Sequence, residues 1–278
     1  SSQCVGGALV STRHHSGFLT EDGAHTLLIN SAKVENLIRE LDALKNEIVQ
    51  ADSKKLNRFI LRNNLLNPLK PKPLALLKTP LLSVEAKYQF FSEILRKKQA
   101  VDSNLSLYDF FTKHFGNECS DYLLDPFIAG TYAGDPKKLS AKHTFPNLVK
   151  ASESNGSIIR SLISNKNKFK NKIISFKEGL AQLPIALSQS LKQKPMTMTR
   201  ILQITQENQR WNIQFQIGDN KTQDTSYDAV YSTIPGHKNH TLPLFESAKN
   251  DLPDFRSIEH PPVTVLSLGF HSDQFKKP

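Results

Sequence analysis

The sequence predicts a mixed α/β protein in which a helical block interrupts sheet-forming segments. Three observations carry this expectation. Apolar residues recur at helical spacing from residue 31 to 44, and again through 83–125. After Pro195 the pattern changes to period two, in "TMTRILQITQ", "RWNIQFQIG" and "DAVYSTIP". Before residue 30, short apolar runs alternate with glycines, as strand ends and tight turns do. The chain has 278 residues, of which 38% are hydrophobic and 22% charged. That composition supports a folded core in one large domain or two ordinary ones and excludes a disordered chain.

The elements follow in order. In "SAKVENLIRELDALKNEIV", Val34, Leu37, Ile38, Leu41 and Leu44 form one stripe, with Asn30 or Ser31 as the N-cap. "NRFIL" reads as a short strand, and prolines break "NPLKPKPLALLKTPLL". Helices are expected over "SVEAKYQFFSEIL" and "SLYDFFTKHFGNECSDYLLD". Two glycines and two prolines in "LLDPFIAGTYAGDPKKLS", residues 123–140, predict a turn. "GSIIRSLI" is helical, and "FKEGLAQLPIALSQSL" places a glycine just before a helix. "PVTVLSLGF" closes the chain as a β-rich run, and there is no internal repeat.

The formal charge is +10. Its lysines are spread, which suits a solvated face; the functional reading is a surface that attracts anions, whether acidic lipid, a polycarboxylate or nucleic acid. Nucleic acid ranks last, since no helix-turn-helix, zinc-finger or RNA-binding signature accompanies the charge. Cys4 and Cys119 have no CxxC partner, so a reducing compartment fits best. No apolar run reaches bilayer-crossing length. There is no GxGxxG, P-loop, HExxH or GxSxG, and the histidines of "RHHSG", "GAHT" and "GHKNH" lack ligand spacing, so metal catalysis is not expected.

Three stretches remain for chemistry. Gly6, Gly7 and Gly23 let a backbone approach a phosphate or a ring, although a plain β-turn explains a glycine pair equally well. Arg58 can form a bidentate pair with a carboxylate, but surface arginines are common. Gly130 and Gly134, beside Phe127 and Tyr132, favour a flat ligand lying over backbone; a helix cap or a bulge would explain either glycine singly.

"LLDPFIAGTYAGDPKKLSAKHTFPNL" resembles the signature of the oxygen-dependent protoporphyrinogen oxidases. These are flavoenzymes of the amine-oxidase-like superfamily that aromatise a porphyrinogen late in haem synthesis. "VGGALVSTRHHSGFLTEDGAHTL", "NRFIL", "FKEGLAQLPIAL", "YDAVYSTIP" and "PVTVLSLGF" are similar to further family segments in the expected order, so the likeness covers essentially the whole chain. It implies a partial FAD-binding Rossmann-like domain (1–48 and 166–240), an inserted helical substrate- and membrane-associated domain (52–165) and part of a substrate-binding sheet (241–278). Both terminal flavin-binding segments of the family are expected to lie outside this chain, making it a fragment. Ala8 stands where the family has Arg or Trp, and Glu178 where it has glycine.

The resemblance implies FAD as cofactor, with Gly6, Gly7, Gly23, Ala24 and Ile201 at the flavin nucleotide; for Ile201 and neighbouring Arg200 the contact would be with adenine through backbone. It implies a tetrapyrrole substrate held by Arg58, Phe127 and Gly130, with no assigned catalytic residue and no metal. The implied reaction is protoporphyrinogen IX oxidation by oxygen. Coproporphyrinogen oxidation, another amine-oxidase-like flavoenzyme and a porphyrin-binding module without redox activity stay open. So does a homodimer. The implied location is cytoplasmic, with peripheral contact on the inner face of the cell membrane.

Overall fold

The computed structural model describes residues 3–52, 58–69, 73–164, 171–236, 238, 260 and 262–274. The chain divides into two compact units, Ser1–Ala51 with Asn171–Pro278, and Asp52–Lys170. The first is therefore discontinuous in sequence.

In that first unit, β1 (Ser11–Arg13) and β2 (Leu19–Glu21) form an antiparallel hairpin, followed by β3 (Leu27–Ile29). Ser31, one of the two expected caps, accepts a hydrogen bond from the Val34 amide at 3.4 Å and starts α1 (Ala32–Glu40). A 3₁₀ turn over Asp42–Leu44 continues the winding, so Ile38, Leu41 and Leu44 are all buried. Leu37 is the member of the expected stripe that stays exposed. β4 (Ile48–Gln50) completes this part.

The second unit opens with a hairpin of β5 (Arg58–Arg62) and β6 (Leu65–Leu69). Asn63 and Asn64 take φ of 52° and 59°, the left-handed pair that a two-residue hairpin turn of primed type requires. Helices follow: α2 (Val84–Ser92), α3 (Leu107–Phe115), α4 (Asn117–Cys119), α5 (Asp125–Tyr132), α6 (Ala141–Thr144), α7 (Pro146–Asn155) and α8 (Ile158–Ser164). Ser83 and Ser106 cap α2 and α3 through their hydroxyls, and Gly116 at φ 85° ends α3. The core is built from Leu81, Leu107, Phe110, Phe115, Cys119, Leu124, Ile128 and Ile158, each at most 4% exposed.

The stretch expected to be a turn, residues 123–140, is mostly not one. A π turn over Ser120–Leu124 feeds directly into α5, and the chain turns only at Ala133, where φ is 48°. The reason is local. Pro126 lies inside a continuous helical run, directly after the π turn, where the regular i→i−4 ladder is already interrupted and the missing amide breaks no further regular bond. Gly130 is then a helical residue whose cost of roughly 1 kcal/mol the surrounding packing overrides.

The chain returns to the first unit with β7 (Lys172–Phe176), which lies between β3 and β4 and pairs antiparallel with both. α9 (Gln182–Ser190) follows. Ile29, Ile38, Leu44, Ile174, Phe176, Leu180 and Ala186 form the core there. A separate sheet runs in the order β10–β9–β8, with β8 (Thr199–Glu207), β9 (Arg210–Ile217) and β10 (Gln223–Tyr227). Its third strand is not "DAVYSTIP", as the alternation suggested, but the polar segment before it; residues 228–235 make no ladder among the described residues. "PVTVLSLGF" likewise has no ladder partner among the described residues, and its Gly269 lies against the ring of Phe18. All ladders among the described residues are antiparallel. Residues 241–259 lie outside the described part, so the proposed start of a substrate sheet there is not seen.

Candidate functional site

The hairpin and α5 face each other across a cleft of about 360 Å³ in the second unit, within the size range of small-molecule sites. Arg58, Phe127 and Gly130 all line it, together with Phe59, Ile60, Leu69, Leu123, Pro126 and Thr131. The Arg58 guanidinium carbon lies 5.9 Å from the Phe127 ring centroid. Among the described residues no carboxylate pairs with Arg58. A Cβ added to Gly130 would meet nothing within 4 Å, so the glycine leaves open space above the helix. Gly130 also belongs to the last turn of α5, where carbonyls have no partner further along the helix; the Ala133 amide takes the Ala129 carbonyl and none of the described residues donates to that of Gly130. The cleft thus combines a guanidinium, an aromatic face and open space above a side-chain-free helical turn, which together suit a flat ligand carrying a carboxylate.

What holds the two walls together was not singled out from sequence. Arg62, at the other end of β5, donates to Glu118 at 2.6 Å and to the Leu81 carbonyl, and its guanidinium lies 4.0 Å from the Tyr122 centroid. Glu118 also accepts from the Ser83 amide at 2.9 Å and from the Ser83 hydroxyl at 2.6 Å. Burial pushes the Glu118 carboxyl up, but its bonds from Ser83 and Arg62 outweigh this and hold it below the ordinary carboxylate range. Arg58 and Arg62 are four apart in a strand and so share a face, which is the one signal the sequence offered.

The residues expected at a flavin all lie in the first unit. Gly6 has φ 113°, and an added Cβ would sit 2.9 Å from a Pro184 side-chain carbon. Gly7 has φ 58° with nothing within 4 Å of such a Cβ. Gly23 abuts this turn: its Cβ would stand 2.2 Å from the Ala8 carbonyl oxygen. Ala24 follows, exposed. Among the described residues the amides of Gly7 and Ala8 donate to nothing. Two unspent donors beside a side-chain-free turn fit a nucleotide phosphate or a flavin edge held by backbone. Ile201 stands elsewhere, in β8 opposite Phe215, and no described hydrogen bond or core contact joins it to the glycines.

Glu178 takes a defined role. Arg13 grips it with two bonds of 2.7 and 2.8 Å, and that contact holds the Glu178 carboxyl below its ordinary range. Nearby, buried Glu21 accepts from the Ser11 hydroxyl at 2.6 Å and the Leu180 amide at 2.8 Å, fastening the first hairpin to the start of α9.

A buried polar cluster in the second unit also escaped the sequence reading. Ser152 Oγ lies 3.0 Å from His114 Nε2, and His114 Nδ1 lies 2.9 Å from Glu93 Oε1. Glu93 further accepts from Ser157 and from the Ile158 and Ile159 amides at the start of α8. The order resembles a hydrolase relay, but Ser152 is 3% exposed and cannot meet a substrate. It is a structural node. Among the described residues no group of three His, Cys, Asp or Glu could hold a metal, and no helix is long and apolar enough to cross a membrane.

Residues 1–276 match the family described as flavin containing amine oxidoreductase. The chain is 31% identical over 310 residues to Protoporphyrinogen oxidase 2, chloroplastic/mitochondrial, of Arabidopsis thaliana, covering 99% of this chain and 59% of that protein. It is 28% identical over 260 residues to Coproporphyrinogen III oxidase of Staphylococcus aureus, covering 84% and 54%. A solved putrescine oxidase superposes with a TM-score of 0.55 at 14% identity, over 87% of this chain and 53% of that one, which shows a shared fold and no more. The chain therefore spans less than two thirds of the length of the relatives it matches.

Proposed function

The chain belongs to the flavin-containing amine oxidoreductases, and on that premise we propose that it serves the FAD-dependent oxidation of a porphyrinogen, protoporphyrinogen IX first, to the porphyrin with oxygen. The observation that carries this reading is the cleft lined together by Arg58, Phe127 and the side-chain-free Gly130. Relatives named for protoporphyrinogen and coproporphyrinogen oxidation support the substrate class.

Arg58 would pair with a propionate and fix the in-plane rotation of the ring. Phe127 would offer its face to a pyrrole, and the Gly130 carbonyl would accept a pyrrole N–H, orienting the macrocycle over the end of α5. The backbone of Gly6–Ala8 with Gly23 would hold the cofactor by its phosphates or ring edge. FAD, when bound, supplies the two-electron acceptor for carbon–hydrogen oxidation. No side chain in the cleft is assigned as a general base. Protoporphyrinogen and coproporphyrinogen differ in propionate number, and the cleft offers its one described guanidinium to either.

A peripheral membrane contact is part of the proposal, because Leu61, Leu65 and Leu66 at the hairpin tip are 64–70% exposed. The test of the oxidase reading is to supply the protein expressed from its complete reading frame with FAD and air and to follow porphyrin fluorescence from both porphyrinogens above the spontaneous rate. A rate supports it and names the preferred substrate. A folded, flavin-loaded protein with no rate on either overturns it in favour of another amine-oxidase chemistry, and a protein that takes no flavin overturns it in favour of a binding module.

A further inference from the structure

We propose that Arg62 is the positioning residue that sets the working width of the Arg58–Phe127 cleft, an inference that rests on the porphyrin reading of that cleft. β5 presents Arg58 and Arg62 on one face, and a single helical stretch, residues 117–132, receives both. Arg58 stands over Phe127 and Arg62 over Tyr122. Tyr122 and Phe127 are five residues apart, a spacing that an α-helix would splay to different sides. The π turn between them bonds the Asp125 amide to the Ser120 carbonyl, a five-residue step, and so stacks them on one side. The irregularity is what lets one strand address two rings.

The two contacts differ in kind. Arg58 to Phe127 is loose and open to a ligand. Arg62 is fully committed: to Glu118, to the Leu81 carbonyl and to Tyr122, while Glu118 is itself fixed by both the amide and the hydroxyl of Ser83. Arg62 does not line the cleft. It therefore acts through β5, holding the strand at a fixed height above the helical wall so that the Arg58 guanidinium meets a carboxylate when the ring lies on Phe127. Released from this anchor, β5 can shift along the wall, and Arg58 loses its registry with the carboxylate although its own charge is intact.

The test is a double-mutant cycle read by binding of protoporphyrin IX, with its dimethyl ester as the uncharged control. Arg58→Ala should weaken the free acid about tenfold or more and leave the ester nearly unchanged. Arg62→Gln should weaken the free acid by about fivefold to tenfold, and Arg58→Ala with Arg62→Gln should bind no more weakly than Arg58→Ala alone, because Arg62 acts through Arg58. Arg62→Lys, which keeps the Glu118 pair, should recover most of the affinity. Additive effects, equal loss for acid and ester, or no loss in Arg62→Gln each overturn the proposal. A second readout is independent of the ligand: amide hydrogen exchange of residues 58–69 should quicken in Arg62→Gln and in Glu118→Gln while that of 146–164 does not. Unchanged exchange overturns the anchor. If the wild type binds no porphyrin but exchange quickens as described, the porphyrin reading falls and the anchor itself stands.

Discussion

The Glu93 carboxylate and the His114 imidazole meet at 2.9 Å with side chains only 0% and 3% exposed, the most deeply buried contact of a carboxylate with a basic side chain among the described residues. Four hydrogen bonds converge on that one carboxylate and tie the end of α2, the end of α3 and the start of α8 together.

Removing Glu93 should therefore be costly. Burial pushes its carboxyl up, but the bonds from His114, the two amides and Ser157 outweigh it and hold it below the ordinary range. A carboxyl depressed in the folded state stabilises fully above its unfolded value, near ~4.3, and loses that contribution as pH falls through the lower folded value. Glu93→Ala should lose ~3–5 kcal/mol in urea denaturation at neutral pH. Glu93→Gln should show a flatter dependence of stability on pH below about pH 5 than the wild type. An equal slope in the two proteins would remove Glu93 from the acid response.

Cys119 is buried beside Glu118, and burial, helped by that charge, pushes its thiol up to about 12. It should resist iodoacetamide in the native protein while exposed Cys4 reacts, and mass spectrometry should find both modified once the chain is unfolded. Native labelling of Cys119 at the rate of Cys4 would contradict the packing of the helical core.

Arg58→Ala should raise KM for the porphyrinogen by ~1–3 kcal/mol in free-energy terms with flavin content unchanged. Steady-state kinetics and flavin absorbance on one preparation decide it. Loss of flavin together with activity would place Arg58 outside the substrate site.

Leu65→Ser with Leu66→Ser should reduce sedimentation with anionic phospholipid vesicles without lowering Tm, because both side chains are about two-thirds exposed. Full vesicle binding by the double variant would end the membrane reading.

Gly23→Ala and Gly7→Ala should rank in a defined order. At Gly23 the new methyl runs into the Ala8 carbonyl, whereas at Gly7 space is open and only the left-handed φ opposes it, at ~1–2 kcal/mol. Tm and bound FAD per chain should fall further for Gly23→Ala. The reverse order would mean that the two segments do not abut as described.

The legible parts of the fold are those whose signal is local. Ser31 with Val34, Ile38 and Leu41 announces α1, and the alternation of 199–217 announces β8 and β9. The segment 123–132 differs from expectation because Pro and Gly read as breakers, whereas the π turn over Ser120–Leu124 carries the helix past Pro126. "DAVYSTIP" and "PVTVLSLGF" alternate correctly, but a ladder needs a partner strand, which alternation cannot supply. In the site, Arg58, Phe127 and Gly130 could be named from sequence, while their convergence needed the fold. Arg62, Glu118 and the Glu93–His114–Ser152 cluster join residues far apart in the chain, with no short-range pattern to mark them.

The place of β7 in its sheet has a bearing on synthesis. The strand that separates β3 from β4 is made only after the entire helical unit has been synthesised. Until then β3 and β4 have exposed, unbonded edges and the apolar faces of Leu27, Ile29 and α1 lack the Ile174 and Phe176 that cover them. The helical unit, contiguous in the chain, can fold as it emerges, while the sheet of β3 and β4 still waits for β7. Cotranslational chaperones would meet it there, on residues 27–50, and a translational pause before residue 172 would lengthen that exposure.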